Sequence, residues 1–278
     1  TNNDFSATNN DDLSAWINIG LDHLSPSQLK KPLPNFLFEY VYLKSRRKDM
    51  RPNCKMYSGG LAHDLIQAVA QKKETLKSAV KKAETDLTFY SPRDEDDAIL
   101  KERCAEQIGD IIEQGVGALK ELNVKNPEIE KRIEIQLDGI AIPCIGFVDL
   151  IWEKNFIELK TKWRSINNRA ATLPNAPPFG DILQSAIYWK ATSLSPRLIY
   201  VRDMGVRLFD QNNCEQLTTD NLERCLDYAR QTALRRQNLL KLSSEFKDLA
   251  KMIEPDFDSF YWNIDVDFRK EAEKLWRI

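Results

Sequence analysis

Two carboxylates and a lysine stand close together in the middle of the chain, namely Asp149, Glu158 and Lys160. Carboxylate oxygens are ligands that Mg²⁺ and Mn²⁺ favour in proteins. A metal held in this way polarises a phosphoryl oxygen and lowers the pKa of a bound water. A nearby lysine can orient or deprotonate that water, or steady the charge that develops on phosphorus. The trio indicates a hard-cation site, with a salt-bridged strand surface as the simpler alternative.

The pattern around these residues predicts a β-meander, with strands near residues 131–137, 140–152 and 156–162. Asp138-Gly139 is a strong signal for a two-residue hairpin between the first two strands. If Lys154-Asn155 forms the second turn, Asp149 lies opposite Lys160 and diagonal to Glu158, and all three side chains share one face. A one-residue shift in this turn is expected to break the arrangement. The opposite face would be a core face, formed by Val148, Leu150, Trp152, Ile157 and Leu159.

Two further groups lie on predicted helices. His63 follows Gly59-Gly60 on an amphipathic helix, and Gln184 and Tyr188 are four residues apart, hence on one face of a helix that Asp181 would cap. Taken alone, each group is explained more simply by packing, as a structural histidine or as a buried tyrosine with a satisfied hydroxyl.

The element order predicts an α+β fold, with a central mixed sheet flanked by helices and with helical additions at both ends. Residues 1–20 are expected to be a disordered tail. Residues 21–214 would form the core, with a helical part at 21–130 and the catalytic sheet at 131–214. Residues 215–278 would be a helical extension packed on that core, opened by a capping box that includes Glu223.

Taken in order, His63, Gly146 with Asp149, Glu158-x-Lys160 and Gln184-x-x-x-Tyr188 resemble the PD-(D/E)XK nuclease superfamily. The resemblance is greatest to its RecB-type branch, which includes phage recombination exonucleases and CRISPR-adaptation nucleases, and Leu24-Ser25-Pro26-Ser27-Gln28-Leu29 looks like the N-terminal stretch of that branch. The resemblance covers roughly residues 22–210. It implies a restriction-endonuclease-like core and a metal-dependent DNA exonuclease that hydrolyses phosphodiester bonds in recombination, repair or phage DNA metabolism.

The resemblance also implies roles for individual residues. His63, Asp149 and Glu158, with the backbone carbonyl of Leu159, would ligate Mg²⁺ or Mn²⁺, and Lys160 would position or activate the attacking water. Gln184 and Tyr188 would contact the DNA backbone, and the basic residues that follow the third strand would bind DNA as well: Lys162, Arg164 and Arg169. A DNA-binding or scaffolding subunit without catalysis, and an endonuclease of the same superfamily, remain alternatives.

The cysteines depart from part of this family. Some members hold an iron–sulfur cluster through one upstream cysteine and three clustered C-terminal ones. Here no C-x2-C occurs, and only two cysteines follow residue 200, so no cluster is expected. The five cysteines are expected to be reduced core thiols in a cytoplasmic protein: Cys54, Cys104, Cys144, Cys214 and Cys225.

The overall charge does not point to nucleic acid, since 40 basic against 42 acidic residues give a net charge of −2. No apolar run suggests a membrane span or a signal peptide. Local basic patches at residues 44–51, 160–169 and 230–241 nevertheless suggest one groove that leads DNA to Asp149 and Glu158. The expected partner is linear DNA with a free end. The expected location is the cytoplasm, which for a phage-encoded enzyme would be the cytoplasm of the host cell. A homo-oligomer, or a single-strand annealing or recombination partner, is left open.

Overall fold

The computed structural model describes residues 10–168 and 170–276, and it contains one five-stranded sheet. The strands are β1 (Glu128–Ile135), β2 (Cys144–Trp152), β3 (Asn155–Thr161), β4 (Ser195–Arg202) and β5 (Gly205–Phe209). They lie in sequence order, and only β3 and β4 run parallel. The sheet is therefore mixed, and helices flank it, which confirms the predicted α+β class.

The helices account for most of the rest of the described chain. They are α1 (Asn10–Ile17), α2 (Pro26–Leu29), α3 (Leu33–Phe36), α4 (Cys54–Ala70), α5 (Leu76–Thr88), α6 (Glu95–Glu121), α7 (Phe179–Thr192), α8 (Thr219–Leu242), α9 (Phe246–Ala250) and α10 (Val266–Leu275). A π-helix, Leu37–Leu43, and a 3₁₀-helix, Lys44–Asp49, connect α3 to the loop before α4. Two parallel strands need a long crossover connection, and α7 supplies it between β3 and β4.

The sheet separates two helical layers. On one side the buried residues of α4, α5 and α6 pack with Leu150, Ile157 and Leu159 of the sheet. On the other side Leu183 and Ile187 of α7 pack with Val148, Phe156 and the buried face of α8. Residues that both layers approach, near the middle of β2 and β3, are therefore shielded from solvent from two directions.

The turns of the sheet differ from the sequence expectation. The β1–β2 connection spans residues 136–143, so the hairpin at Asp138-Gly139 is not a two-residue one. Gly139 does adopt a positive φ of 77°, but the chain continues through Pro143, whose carbonyl accepts a hydrogen bond from Leu24 N–H. Proline cannot donate to a ladder, and the strand begins only at Cys144.

The caps at the helix starts agree with the sequence pattern in one case and differ from it in two. Ser25 caps α2 in a capping box with Gln28, with Pro26 at the first position. In contrast, Asp181 does not cap α7, which begins at Phe179 after Pro178. No side-chain cap is present at the start of α8, so the predicted box with Glu223 is wrong.

The prediction of a disordered tail over residues 1–20 is wrong for residues 10–20. Helix α1 begins at Asn10 and buries Ala15 and Trp16. The Trp16 indole donates to Gln237 Oε1 on α8 over 2.9 Å, so a partner distant in sequence orders this polar segment. Residues 1–9 lie outside the described part of the chain.

The cysteines are free thiols, four of them buried and Cys225 half-buried, in agreement with the expectation of core thiols. Among the described residues, the helices include none with the length and apolar character that crossing a bilayer requires.

Candidate active site

The pairing of β2 with β3 ends just before the predicted carboxylates. The pairs run from Trp152–Asn155 to Leu150–Ile157, so the two-residue turn is Glu153-Lys154, one residue earlier than predicted. Moving a two-residue turn by one position moves each partner by two residues, which preserves the alternation of faces. Asp149 therefore faces Glu158 rather than Lys160, and the expected loss of the arrangement does not occur.

Asp149 lies where the sheet is locally irregular. No ladder pair joins it to Glu130 of β1, although pairing continues on both sides, and Glu130 has a positive φ of 49°. The Asp149 Oδ2 accepts a hydrogen bond from Leu159 N–H over 2.8 Å. The carboxylate thus occupies the gap between the strands.

This irregularity changes which side chains share a face. Val148 packs in the layer of α7, whereas Leu150 packs with Ile157 in the layer of α4 and α6. The predicted single core face is therefore wrong, because the side-chain alternation reverses at Asp149. The consequence is that Asp149 can be approached from both layers.

Helix α4 approaches Asp149 from one side. His63 Nε2 lies 3.3 Å from Asp149 Oδ2. Gln67, one turn later, donates to Glu130 Oε1 over 3.1 Å and to the Asp149 carbonyl over 3.0 Å, and its Nε2 lies 3.2 Å from His63 Nε2. One potential ligand atom from each of His63, Glu130 and Asp149 lies within 4.8 Å of the others.

Helix α7 approaches Glu158 from the other side. Glu158 is fully buried, and its Oε2 accepts from Lys160 Nζ over 2.9 Å and from Gln184 Nε2 over 2.8 Å. Gln184 Nε2 also donates to the Tyr188 hydroxyl, which donates in turn to the carbonyl of Phe147 over 2.8 Å. The predicted Gln184–Tyr188 pair therefore does face the two carboxylates.

Gly146 makes this approach possible. A Cβ at this position would lie 2.6 Å from a ring carbon of Tyr188, well inside contact distance. The glycine in the Gly146-to-Asp149 motif thus has a packing reason, which is room for the tyrosine that anchors Gln184.

The two carboxylates have opposite electrostatic environments. Burial, followed by the charge of Asp149, raises the pKa of Glu158 to about 7. Burial also acts to raise the pKa of Asp149, but the hydrogen bond with His63 and the charge of Lys160 outweigh it and hold that pKa below its usual value. The protein thus favours the charged form of Asp149 and disfavours the charged form of Glu158.

The lysine stays charged in this environment. Burial works to lower the pKa of Lys160, but the charges of Glu158 and Asp149 outweigh it and raise that pKa. Burial also acts to lower the pKa of His63, but the hydrogen bond with Asp149 and the charge of that carboxylate outweigh it and raise the pKa.

The donor set fits a divalent cation. Two carboxylates and one imidazole suit Mn²⁺, and carboxylates with water suit Mg²⁺. The buried Glu158 beside Asp149 is a like-charge pair that a cation would relieve. The ligand role of the Leu159 carbonyl stays a prediction; the structure shows only its N–H donating to Asp149.

The predicted DNA-binding residues after β3 have varied environments. Lys162 Nζ lies 5.2 Å from the centre of the Tyr200 ring. Arg164 forms ion pairs with Asp203 and Glu106, which disfavour the DNA contact expected of it. Arg169 lies outside the described residues. DNA contact by any of them stays a prediction.

The other two basic patches are partly engaged within the protein. Arg46 pairs with Glu271, and Lys241 pairs with Asp12. Arg236 is only 2% exposed and donates to the carbonyls of Gln28 and Lys31. A part of each predicted patch is thus structural, while the groove itself stays a prediction.

Sequence reasoning missed Glu130 and Gln67. Gln67 follows His63 by four residues, so helical spacing alone could have found it. Glu130 has no such signal, because nothing in the sequence distinguishes it from Glu128 and Glu134 on the same strand.

No family model matches the chain, and no curated protein does. Among solved structures, one similar chain is a "putative exonuclease" from Eubacterium rectale, with 12% identity, a TM-score of 0.49, and coverage of 92% of this chain and 90% of that chain. Another is the protein SSO0001, with 20% identity, a TM-score of 0.31, and coverage of 56% of this chain and 83% of that chain.

Proposed function

We propose that the chain is a metal-dependent deoxyribonuclease of the PD-(D/E)XK superfamily, RecB-type branch, acting as an exonuclease on linear DNA. The observation that carries the proposal is the convergence of His63, Glu130 and Asp149 beside the buried Glu158–Lys160 pair. Helix α4 and the strands β1, β2 and β3 supply this set, which exceeds what a salt-bridged strand surface would need.

His63, Asp149 and Glu158 would hold Mg²⁺ or Mn²⁺, and Glu130 adds a carboxylate within reach of the first two. When bound, the metal would polarise the phosphoryl group and make a water acidic. Because ligands must be deprotonated, cation binding would draw the proton from Glu158, whose pKa is about 7.

Lys160 would act through its charge. Its ammonium keeps its proton near neutral pH, since the neighbouring carboxylates raise its pKa, so it is better suited to orient water and stabilise a negative phosphoryl oxygen than to act as a base. Gln184 holds both Glu158 and Lys160, with Nε2 on the carboxylate and Oε1 3.4 Å from the ammonium. This bridge would keep the two groups aligned as DNA binds.

The decisive experiment is digestion of linear DNA labelled at one end, with Mg²⁺ or Mn²⁺. Wild type should release labelled nucleotides, and Lys160→Ala should lose at least about a hundredfold in rate. Lys154→Ala, in the exposed turn of the same hairpin, is the matched control and should retain the wild-type rate. Absence of cleavage by wild type, with DNA binding retained, would favour a scaffolding subunit, and cleavage of closed circular DNA would favour an endonuclease.

His63 offers a separate test of the metal assignment. His63→Ala should reduce activity and change the ratio of Mn²⁺- to Mg²⁺-supported rates, because a nitrogen ligand favours Mn²⁺ over Mg²⁺. An unchanged ratio would remove His63 from the ligand set.

A further inference from the structure

A cavity of about 300 Å³ lies beside the candidate active site, between the α2–α3 segment, the start of α7 and the middle of α8. This volume is at the lower end of the range for small-molecule pockets. The residues that give it chemical character are Lys30, Lys31, Phe179, Tyr228, Arg235 and Arg236. Arg235 and Arg236 belong to the predicted basic patch at residues 230–241, and the other four are not among the predicted functional residues.

The cavity wall is basic. It carries four cationic side chains, and among the described residues no Asp or Glu lines it. Lys31 is paired with Glu39, and Arg236 is held by backbone carbonyls, although its buried Nε has no hydrogen-bond partner. Lys30 and Arg235, within the part of the chain that the structure describes, form no hydrogen bond or ion pair through their side chains. They are the cations left for a ligand.

Lys30 has an electrostatic reason to bind an anion. Burial lowers its pKa and the charge of Lys160 lowers it further, and together they outweigh the charges of Asp181 and Glu158, which act to raise it. Its aliphatic part lies against Gly180 at the start of α7, where an added Cβ would come within 3.0 Å of Lys30 Cδ. A half-buried ammonium without a carboxylate partner is costly, and a phosphate would relieve this cost.

Two half-exposed aromatic rings form another part of the wall. Phe179 is 49% and Tyr228 is 48% exposed, and their ring centres are 4.9 Å apart in an edge-to-face arrangement. Such a pair leaves a ring face open, and nucleic-acid bases stack on exposed aromatic faces. Cations and aromatic rings are thus combined in one small cavity, as a phosphate joined to a base requires.

Helix α7 connects this cavity to the catalytic residues. Phe179 precedes Gln184 by five residues on the same helix, which is about 7.5 Å along its axis. Gln184 contacts both Glu158 and Lys160. Lys30 of the cavity wall also lies within electrostatic range of Lys160 and Glu158, so a DNA strand with a phosphodiester at Lys160 would run past the cavity.

We propose that this cavity binds one nucleoside monophosphate unit, with its phosphate on Lys30 and Arg235 and its base against Phe179 and Tyr228. The proposal rests on the nuclease function and adds a nucleotide subsite to it. Binding of a free mononucleotide here requires neither metal nor cleavage, so the two proposals can fail separately.

The test is calorimetric titration of the wild-type protein, in EDTA, with deoxyadenosine 5′-monophosphate, deoxyadenosine and inorganic phosphate. The monophosphate should bind more tightly than either of its parts. Phe179→Ala and Arg235→Ala should each weaken its binding about tenfold. Matched controls are Phe89→Ala, at an exposed phenylalanine at the end of α5, and Arg224→Ala, three turns earlier on α8; both should bind as wild type does.

Thermal unfolding of each variant identifies a variant that has not folded, and Tyr228→Ala then replaces Phe179→Ala. No binding of the monophosphate, or equally tight binding of inorganic phosphate with no effect of either aromatic substitution, overturns the proposal. Nucleotide binding without any DNA cleavage would contradict the nuclease function and leave the cavity assignment. DNA cleavage without nucleotide binding would contradict the cavity assignment and leave the nuclease function.

Discussion

Asp97 on α6 and Glu158 on β3 are both buried carboxylates, 1% and 0% exposed, yet their surroundings differ. Asp97 accepts hydrogen bonds from the backbone N–H groups of Cys54 and Arg93 and from the Tyr90 hydroxyl. The Arg93 guanidinium lies 3.6 Å away. Burial acts to raise the pKa of Asp97, but the hydrogen bond from Tyr90 and the backbone donors outweigh it and lower that pKa.

Glu158 also has hydrogen-bond donors, but it shares its site with a second carboxylate. Its pKa is raised to about 7 by burial and by Asp149. Both groups are satisfied geometrically, so hydrogen bonding alone does not separate them. The difference is in the charge: at Asp97 the protein stabilises the anion, and at Glu158 it disfavours the anion. A buried carboxylate that the protein keeps without stabilising its charge suggests a functional site.

The largest expected difference is in catalysis. Glu158→Gln should reduce DNA cleavage by about a thousandfold, because a neutral amide is a poor ligand for a hard cation and the metal contributes several kcal/mol to the transition state. Initial rates on end-labelled DNA measure the effect, and Glu153→Gln in the neighbouring exposed turn is the control. A rate within a few-fold of wild type would contradict the ligand role.

Next in size is the stability effect at Asp97. Asp97→Asn should lower the free energy of unfolding by about 3 kcal/mol, because a buried network loses its negative charge and one of its two acceptor oxygens is replaced by an NH2 donor. Urea unfolding measures this loss, and the exposed neighbour Asp96→Asn should lose less than about 1 kcal/mol. Glu158→Gln should cost less stability than Asp97→Asn, since it removes the repulsion from Asp149. The reverse order would erase the distinction drawn between the two carboxylates.

The two residues should also respond oppositely to pH. The pKa of Asp97 is depressed in the folded state, so its stabilisation is complete above the unfolded value of 3.8 and is lost as pH falls through the folded pKa. The pKa of Glu158 is raised from 4.5 to about 7, so the folded protein loses stability as pH rises through that interval.

Urea unfolding in EDTA between pH 3 and 8 would compare wild type with each variant. The free energy of unfolding of Glu158→Gln relative to wild type should increase between pH 5 and 7. That of Asp97→Asn should approach wild type only at the acid end. Parallel curves across pH 5–7 would rule out the proposed environment of Glu158.

The smallest expected effect concerns the support of Gln184. Tyr188→Phe removes the hydroxyl that links Gln184 to the Phe147 carbonyl, and it should cost about 1 kcal/mol of stability. Cleavage should fall by up to about tenfold, because Gln184 is less well held. Tyr57→Phe, whose hydroxyl makes only a long 3.4 Å contact with Asp86 O, serves as the control. A fall as large as that of Glu158→Gln would mean that Tyr188 does more than support Gln184.

The sequence by itself determined the local features of this protein. Strand and helix periodicity placed the β-meander and α7, because side-chain alternation depends on neighbours in the chain. Residue types, together with the resemblance to a nuclease family, identified Asp149, Glu158, Lys160, Gln184 and Tyr188 as candidates. Strand alternation also predicted that Asp149, Glu158 and Lys160 converge. The misplaced turn does not affect this prediction, because a register error of two residues leaves each side chain on the same face.

The tertiary structure decided what depends on distant segments. Only the packing of α4 against the sheet brings Gln67 and His63 to Glu130, and only the interrupted pairing at Asp149 lets both helical layers reach it. Trp16 becomes ordered through Gln237, more than 200 residues away. The cavity beside α7 joins Lys30 to Arg235 in the same way. Such contacts form between residues far apart in the chain, and no local pattern of residue types encodes them.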